Sequence, residues 1–274
     1  MRDLARLPLD KAAFREKFGP WAVIAGASEG TGECYARALA EMGLNLVLIS
    51  RRRSALQALG EALKVEYGIA YRACAQDLAE TAAGLRIVEA AAGLDVGLYI
   101  SNAGADGFAN FFEDDADAAH RLVRMNISTL IDAANGFGRA FLARGKGGII
   151  VMASGAGLGG QPNLALYSAT KAFEINFAES LWAEYHERGI DVIAIAAPIM
   201  RTPMLLRTVP EGFDVSDVYD PADVTHNALA GLLAGEPLQI VPDGPGREKL
   251  PQVQADRKAR LMGFVEFNKM FTGR

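Results

Sequence analysis

Seven short apolar runs constrain what this chain can fold into more than any other feature. WAVIA (21–25), NLVLIS (45–50), IAYRACA (69–75), GLYIS (97–101), GIIVMA (148–153) and GIDVIAIAAP (189–198) stand between helical stretches, and a last strand closes an α/β pair over 221–241. The runs are largely apolar throughout rather than at every second residue. A strand of that kind is buried on both faces, which requires a parallel sheet with helices above and below it. The fold expected is therefore α/β: a single doubly wound parallel sheet of about seven strands.

The chain has 274 residues, 50% of them hydrophobic, which suits one large domain over 1–274. Within it the sequence predicts an N-terminal helical arm (1–19), a core (20–242), a loop or lid (199–220) and a C-terminal amphipathic helix (251–271). A net charge of −5, with Arg51-Arg52-Arg53 as the one dense basic cluster, excludes a nucleic-acid partner. Cys34 and Cys74 lack the spacing of a disulfide framework or metal site and read as reduced core thiols. His120, His186 and His226 are scattered, so no metal is expected. The first twenty residues are charged throughout, unlike a signal peptide, and no apolar run approaches the roughly 18 residues of a membrane span. A cytoplasmic location is the expectation.

The polar residues that matter follow the strands. After WAVIA comes Gly26-Ala27-Ser28-Glu29-Gly30-Thr31-Gly32, then a helical run. Strand, glycine loop and helix aim backbone N–H groups and a helix N-terminus at a phosphate, and a dinucleotide's pyrophosphate can approach a backbone free of side chains. A merely tight turn would use the same glycines, but their place between the first strand and first long helix favours binding. An acid about 20 residues past such a loop would bind ribose hydroxyls. Ser50 and Arg51 stand there instead. Arginine pairs with a 2′-phosphate, so NADP(H) is favoured, with NAD(H) possible. Glu29 opposes an added phosphate. Asp77, the turn Asn102-Ala103-Gly104, Ser154 and Pro198 also follow strands, and all of these residues gather at the C-terminal edge of the sheet, where such folds bind ligands.

Tyr167 and Lys171 lie four apart at the start of a long helical run, and so on one helical face. A free phenol titrates at about 10, too high for easy proton exchange near neutrality. A neighbouring cation favours the phenolate and would make Tyr167 a general acid or base. Ser154, thirteen residues before Tyr167, offers a hydroxyl to a substrate oxygen. Asn126 interrupts an apolar helical stretch (114–144), either as a satisfied core amide or as a functional one.

Taken together, residues 20–242 resemble the short-chain dehydrogenase/reductase family, whose fold is Rossmann-like. TGxxxGxG appears as residues 25–32, NNAG as Ser101-Asn102-Ala103-Gly104, and YxxxK as Tyr167-Ser168-Ala169-Thr170-Lys171. Asn126, Ser154, Tyr167 and Lys171 match the catalytic tetrad, and Asp77 with Leu78 the adenine pocket. Pro198 and Thr202 match the nicotinamide end, where threonine binds the carboxamide. Ala25, Ser101 and Ile199 depart from the pattern, and the branched Ile199 narrows the nicotinamide region.

The resemblance implies reversible hydride transfer between nicotinamide and a carbonyl or secondary alcohol. Tyr167 would exchange the proton, Lys171 would act on Tyr167 and hold the ribose, Ser154 would place the substrate oxygen, and Asn126 would anchor a water leading from Lys171. A homodimer or homotetramer is implied through the helices over 114–144 and 167–188. A regulatory nucleotide binder without turnover, and a lyase or epimerase, are the alternatives on this scaffold. The intact tetrad argues against the first, and the short remainder after the seventh strand against the second. The apolar residues between Ile199 and Tyr219, including Met200, Met204, Leu205 and Leu206, predict a lid over a hydrophobic carbonyl or alcohol.

Overall fold

The computed structural model describes residues 1–104, 110–113, 115–244 and 246–272. Its strands are β1 (Trp21–Ala25), β2 (Asn45–Ser50), β3 (Tyr71–Ala75), β4 (Val96–Ser101), β5 (Gly147–Met152), β6 (Ile190–Ala196) and β7 (Leu238–Ile240). All pair in parallel, in the order β3-β2-β1-β4-β5-β6-β7. The helices are α1 (Lys11–Phe18), α2 (Gly30–Glu41), α3 (Arg53–Tyr67), α4 (Ala83–Ala90), α5 (Ala116–Val123), α6 (Thr129–Arg144), α7 (Ala165–Tyr185), α8 (Pro203–Thr208), α9 (Pro221–Leu233) and α10 (Leu250–Thr272).

Successive strand residues point to opposite faces, and β1 shows the consequence. Ala22 and Ile24 enter one core with Phe14 and Phe18 of α1, Leu39 of α2, Leu56 of α3 and Leu229 of α9. Val23 and Ala25 enter the other with Ile87 of α4, Phe137 and Phe141 of α6, and Ile175 and Trp182 of α7. Two layers of helix thus explain why the strands read as unbroken apolar runs. From β1 the chain builds outward to β3, then returns to lay β4 against the other side of β1. The loops leaving β1 and β4 therefore diverge, and a crevice opens between them.

Several details differ from the sequence expectation. The 114–144 segment is not one regular helix: a π-helical turn at Arg124–Ser128 joins α5 to α6, and it carries Asn126. Asp114 lies outside the described residues. Only Lys11–Phe18 of the N-terminal arm is helical; Arg2 instead forms an isolated bridge with Tyr219. The stretch after Thr202 contains the short helix α8, begun by Thr202 Oγ1 accepting from the Leu205 N–H at 3.2 Å and by Pro203 at the first helical position. Val218 and Tyr219 are buried rather than part of the lid surface; the Tyr219 hydroxyl donates to the Pro242 carbonyl at 2.7 Å. Cys34 and Cys74 are half-buried rather than core thiols, and burial pushes the Cys34 thiol up to about 11.

Phe141 is fully buried, and its ring takes the space above Gly147, where an added Cβ would come within 2.2 Å of it. Phe141→Ala should cost about 3–5 kcal/mol, read from the denaturation midpoint in urea, with the fold retained.

Candidate active site

The crevice at the C-terminal edge of the sheet is a cleft of about 650 Å³. Gly26, Ser28, Gly30 and Thr31 line its floor; Ser50, Arg51, Arg52, Asp77 and Leu78 line one end; Asn102, Ala103 and Gly104 line the middle. Tyr167 and Thr202 reach its wall, with Met204 and Arg207 above them. Of the residues singled out in the sequence, Asn126, Lys171, Gly32 and Pro198 are buried and do not line this cleft, and Ser154 is half-buried outside its lining.

The glycine loop is built by close approach. Gly26 has φ +85° and its missing Cβ would sit 2.9 Å from the Ala103 backbone, so the β1 and β4 loops touch here without side chains between them. The Asn102 amide N–H donates to the Gly26 carbonyl at 3.0 Å and locks that contact. At Gly32 a Cβ would fall 2.0 Å from the Gly26 oxygen, so glycine there lets the first turn of α2 press onto the loop. The free N–H groups of that turn open toward the floor. These are the features a pyrophosphate needs, and the residues present fit a dinucleotide.

At the ribose end the arginines divide. Arg52 donates to the Glu29 carboxylate at 2.7 Å and to Ser28 Oγ at 3.2 Å. Arg51 is exposed on the cleft wall and makes no ion pair among the described residues. Glu29, which the sequence sets against a second phosphate, is also gripped by Arg207 of α8. That hydrogen bond, opposed by partial burial and aided by the charge of Arg52, holds the Glu29 carboxyl below its ordinary range. Asp77 accepts from the Ala79 N–H and from Arg121, both at 2.9 Å. Burial raises its carboxyl, but these two hydrogen bonds and the charges of Arg121 and Arg51 outweigh it and hold it low.

Tyr167 is half-buried on the second turn-face of the cleft, in the first turn of α7. Four residues on, Lys171 is 3% exposed, and its Nζ lies 5.7 Å from the Tyr167 ring centre. The ammonium donates to the Met152 carbonyl at 3.0 Å and to Glu174 at 2.8 and 3.1 Å. Burial pulls the Lys171 ammonium down, yet the charges of Glu174 and Tyr167 more than offset this and hold it above its usual value. A Cβ on Gly104 would lie 3.4 Å from that Nζ, so Lys171 sits directly behind the β4 loop.

Ser154 lies two residues past β5 and caps a 3-10 turn (Gly155–Leu158), its Oγ accepting from the Ala156 N–H at 3.2 Å. The turn packs on Lys171: at Gly157 a Cβ would fall 2.6 Å from the Lys171 carbonyl carbon. Asn126 donates to Thr170 Oγ1 at 3.0 Å, and Thr170 donates in turn to the Tyr167 carbonyl at 2.8 Å. The Asn126 Oδ1 is buried without a hydrogen-bond partner among the described residues. The π-helical turn thus brings a free acceptor toward the Lys171 side of the site, a use such turns often serve. Among the described residues no His, Cys, Asp or Glu cluster could hold a metal ion, and no helix is long and apolar enough to cross a membrane.

Sequence reasoning missed three members of this constellation. Glu174 was legible only as an acid three residues past Lys171. The Arg207–Glu29 link joins residues 178 apart, and nothing local announces it. Arg121 reaches Asp77 only because α5 folds over the β3 loop.

A dinucleotide floor beside a tyrosine–lysine pair, at the point where a parallel sheet reverses its order, defines an oxidoreductase that uses a nicotinamide cofactor. Residues 20–211 match the short chain dehydrogenase family, and the chain belongs to it. It is an NAD(P)-dependent enzyme acting on CH–OH and C=O groups. The chain is 30% identical over 259 residues to a 7beta-hydroxysteroid dehydrogenase of Clostridium sardiniense, covering 94% of this chain and 98% of that one. Its structure is similar to a short-chain dehydrogenase from Sphingobium yanoikuyae in complex with NADPH (TM-score 0.77, 29% identity, 89% and 96% covered). It is also similar to the bulky-bulky ketone specific alcohol dehydrogenase from Comamonas testosteroni (TM-score 0.75, 28% identity, 89% and 94% covered).

Proposed function

We propose that this enzyme is an NADP(H)-dependent oxidoreductase that interconverts a hydrophobic ketone and its secondary alcohol, with Tyr167 as general acid and base. The observation that carries this reading is Tyr167 on the cleft wall with the buried Lys171 ammonium 5.7 Å from its ring centre. The bound cofactor supplies the hydride; the protein supplies orientation and the proton. Tyr167 gives its proton to the carbonyl oxygen in reduction and takes it from the alcohol in oxidation. Ser154 Oγ places that oxygen. Asn126 Oδ1 holds a water through which Lys171 exchanges protons with solvent. The glycine loop, Asn102 and Ala103 receive the pyrophosphate and ribose, Asp77 and Leu78 the adenine, and Pro198 and Thr202 the carboxamide end.

The preference for NADP(H) rests on Arg51, which makes no ion pair among the described residues while Arg52 is committed to Glu29. The NADPH complex of the Sphingobium relative is consistent with it. The preference for an apolar substrate rests on Phe111, Leu122, Met125, Leu164, Leu166 and Met204 around the open end of the cleft. Ile199, Met204 and Leu206 are exposed on or beside α8, as expected of a lid that closes over an apolar partner. The relatives named for a hydroxysteroid and for bulky-bulky ketones support the same class. Residues 1–274 would act as one domain, and the enzyme as a dimer or tetramer through α6 and α7, where Phe173 and Phe177 stack half-exposed with ring centres 5.4 Å apart.

Tyr167→Phe should lower turnover about 10²–10⁴-fold while leaving NADPH binding near normal, measured at 340 nm and by fluorescence titration. Near-native turnover of that variant would remove Tyr167 from its role. Arg51→Ala should weaken NADP(H) by about 1.5–3 kcal/mol and NAD(H) little; equal losses for both would refute the assignment of the 2′-phosphate. Catalytic efficiency across ketones of increasing apolar size should rise, and a flat series or a preference for polyols would exclude a hydrophobic substrate.

A further inference from the structure

Lys171 does not face the site alone. Glu174, one turn further along α7, places both carboxylate oxygens on its Nζ, at 2.8 and 3.1 Å. Each residue is only 3% exposed, and Glu174 makes no other hydrogen bond or ion pair among the described residues. An ammonium has three N–H groups. Two go to the Glu174 oxygens and one to the Met152 carbonyl, so these partners fix the ammonium and it acts on Tyr167 through its charge, 5.7 Å from the ring centre.

We propose, on the reading of the reaction given above, that Glu174 is a positioning residue: it fixes where the Lys171 ammonium points and, by its negative charge, limits how strongly that ammonium acts on Tyr167. A buried ion pair is a poor way to gain stability, because desolvating both charges cancels most of their attraction. The surroundings would accept an apolar side chain, since Ile175 and Ala178 of the same helix pack into the core. The acid is therefore informative through what it does to Lys171.

The charged groups nearby are few. Tyr167 faces the pair from α7, and Tyr99 faces it from β4, its buried phenol pushed up by burial first and by the Glu174 charge in addition. β5 offers the Met152 carbonyl, and the π-helical turn offers Asn126. Arg124 on that turn is spent on the Ala79 carbonyl, Arg257 of α10 on Glu179, and Asp191 of β6 on Lys17. Burial pushes the Glu174 carboxyl up to about 7, with Lys171 pulling the other way. Acidification through neutrality would then neutralise Glu174 and leave the Lys171 charge uncompensated beside Tyr167.

The sign of the effect follows. Alcohol oxidation needs the phenolate, a negative Glu174 disfavours it, and removing that charge lets Lys171 favour it more. Glu174→Gln keeps an acceptor for Lys171 without the charge. Its profile of kcat/KM for secondary-alcohol oxidation with NADP⁺ should shift to lower pH by about one unit, close to tenfold at a fixed pH on the rising limb. Glu174→Asp, which restores the charge, should return the profile toward that of the wild type. Glu174→Met, similar in volume and uncharged, is the second neutral variant, and thermal melts establish which variants fold. A folded neutral variant whose profile coincides with the wild type overturns this inference alone. So does failure of both neutral variants to fold, which would assign Glu174 to stability. A wild-type enzyme that turns over no ketone or alcohol with either nucleotide overturns the underlying reading of the reaction, and this inference with it.

Discussion

The pairing of β4 with β1 decides most of what this molecule can do. All seven strands run parallel, so every connection must cross the sheet on one face or the other, and every strand ends at the same edge. At most places along that edge, successive loops fold over one another and close the surface. Between β1 and β4 they leave in opposite directions, because the chain has finished one half of the sheet and begun the other. The register brings Ala25 opposite Ser101, so the glycine loop and the Asn102 turn start side by side. Everything polar in the cleft is arranged around that seam.

The seam also explains why the site can be both open and firm. Backbone contacts hold the floor: Gly26 against Ala103, the Asn102 amide on the Gly26 carbonyl, and Gly32 against the same oxygen. The Tyr167 wall is held instead by side chains that lead inward from that residue. Its carbonyl accepts from Thr170, which accepts from Asn126, while Lys171 hangs from the end of β5. The floor binds through geometry that only glycine permits. The wall works through charges placed in a medium where they are poorly screened.

The fold was legible because strands buried on both faces leave an unmistakable record: Ala22–Ala25 of β1 and Leu46–Ile49 of β2 carry no polar residue. The floor of the site was legible for a related reason, since glycines between a strand and a helix have few other uses. What stayed hidden depends on contacts distant in sequence or on small changes of helical geometry. No local pattern distinguishes Arg51 from Arg52; only the fold shows that Glu29 claims one of them. The π-helical turn at Asn126 meets α7, where Asn126 bonds Thr170, a partner 44 residues away in sequence. Val218 and Tyr219 look like their apolar neighbours in the lid, yet they belong to the core because the N-terminal segment folds across them.

That crossing of the N-terminal segment has a mechanical result. Arg2 bridges to Tyr219 and binds both Asp217 and Asp243, while Asp243 also accepts the Ile199 N–H at 2.8 Å and Met200 bridges to Tyr219 from the other side. The two ends of the 199–219 segment are thereby tied to one another and to the chain beyond β7. Between them, Thr202 lies against Gly30 of the glycine loop and Arg207 grips Glu29. Whatever enters the cleft meets residues of α8 whose flanking segments are tied together by Arg2, from the opposite end of the sequence.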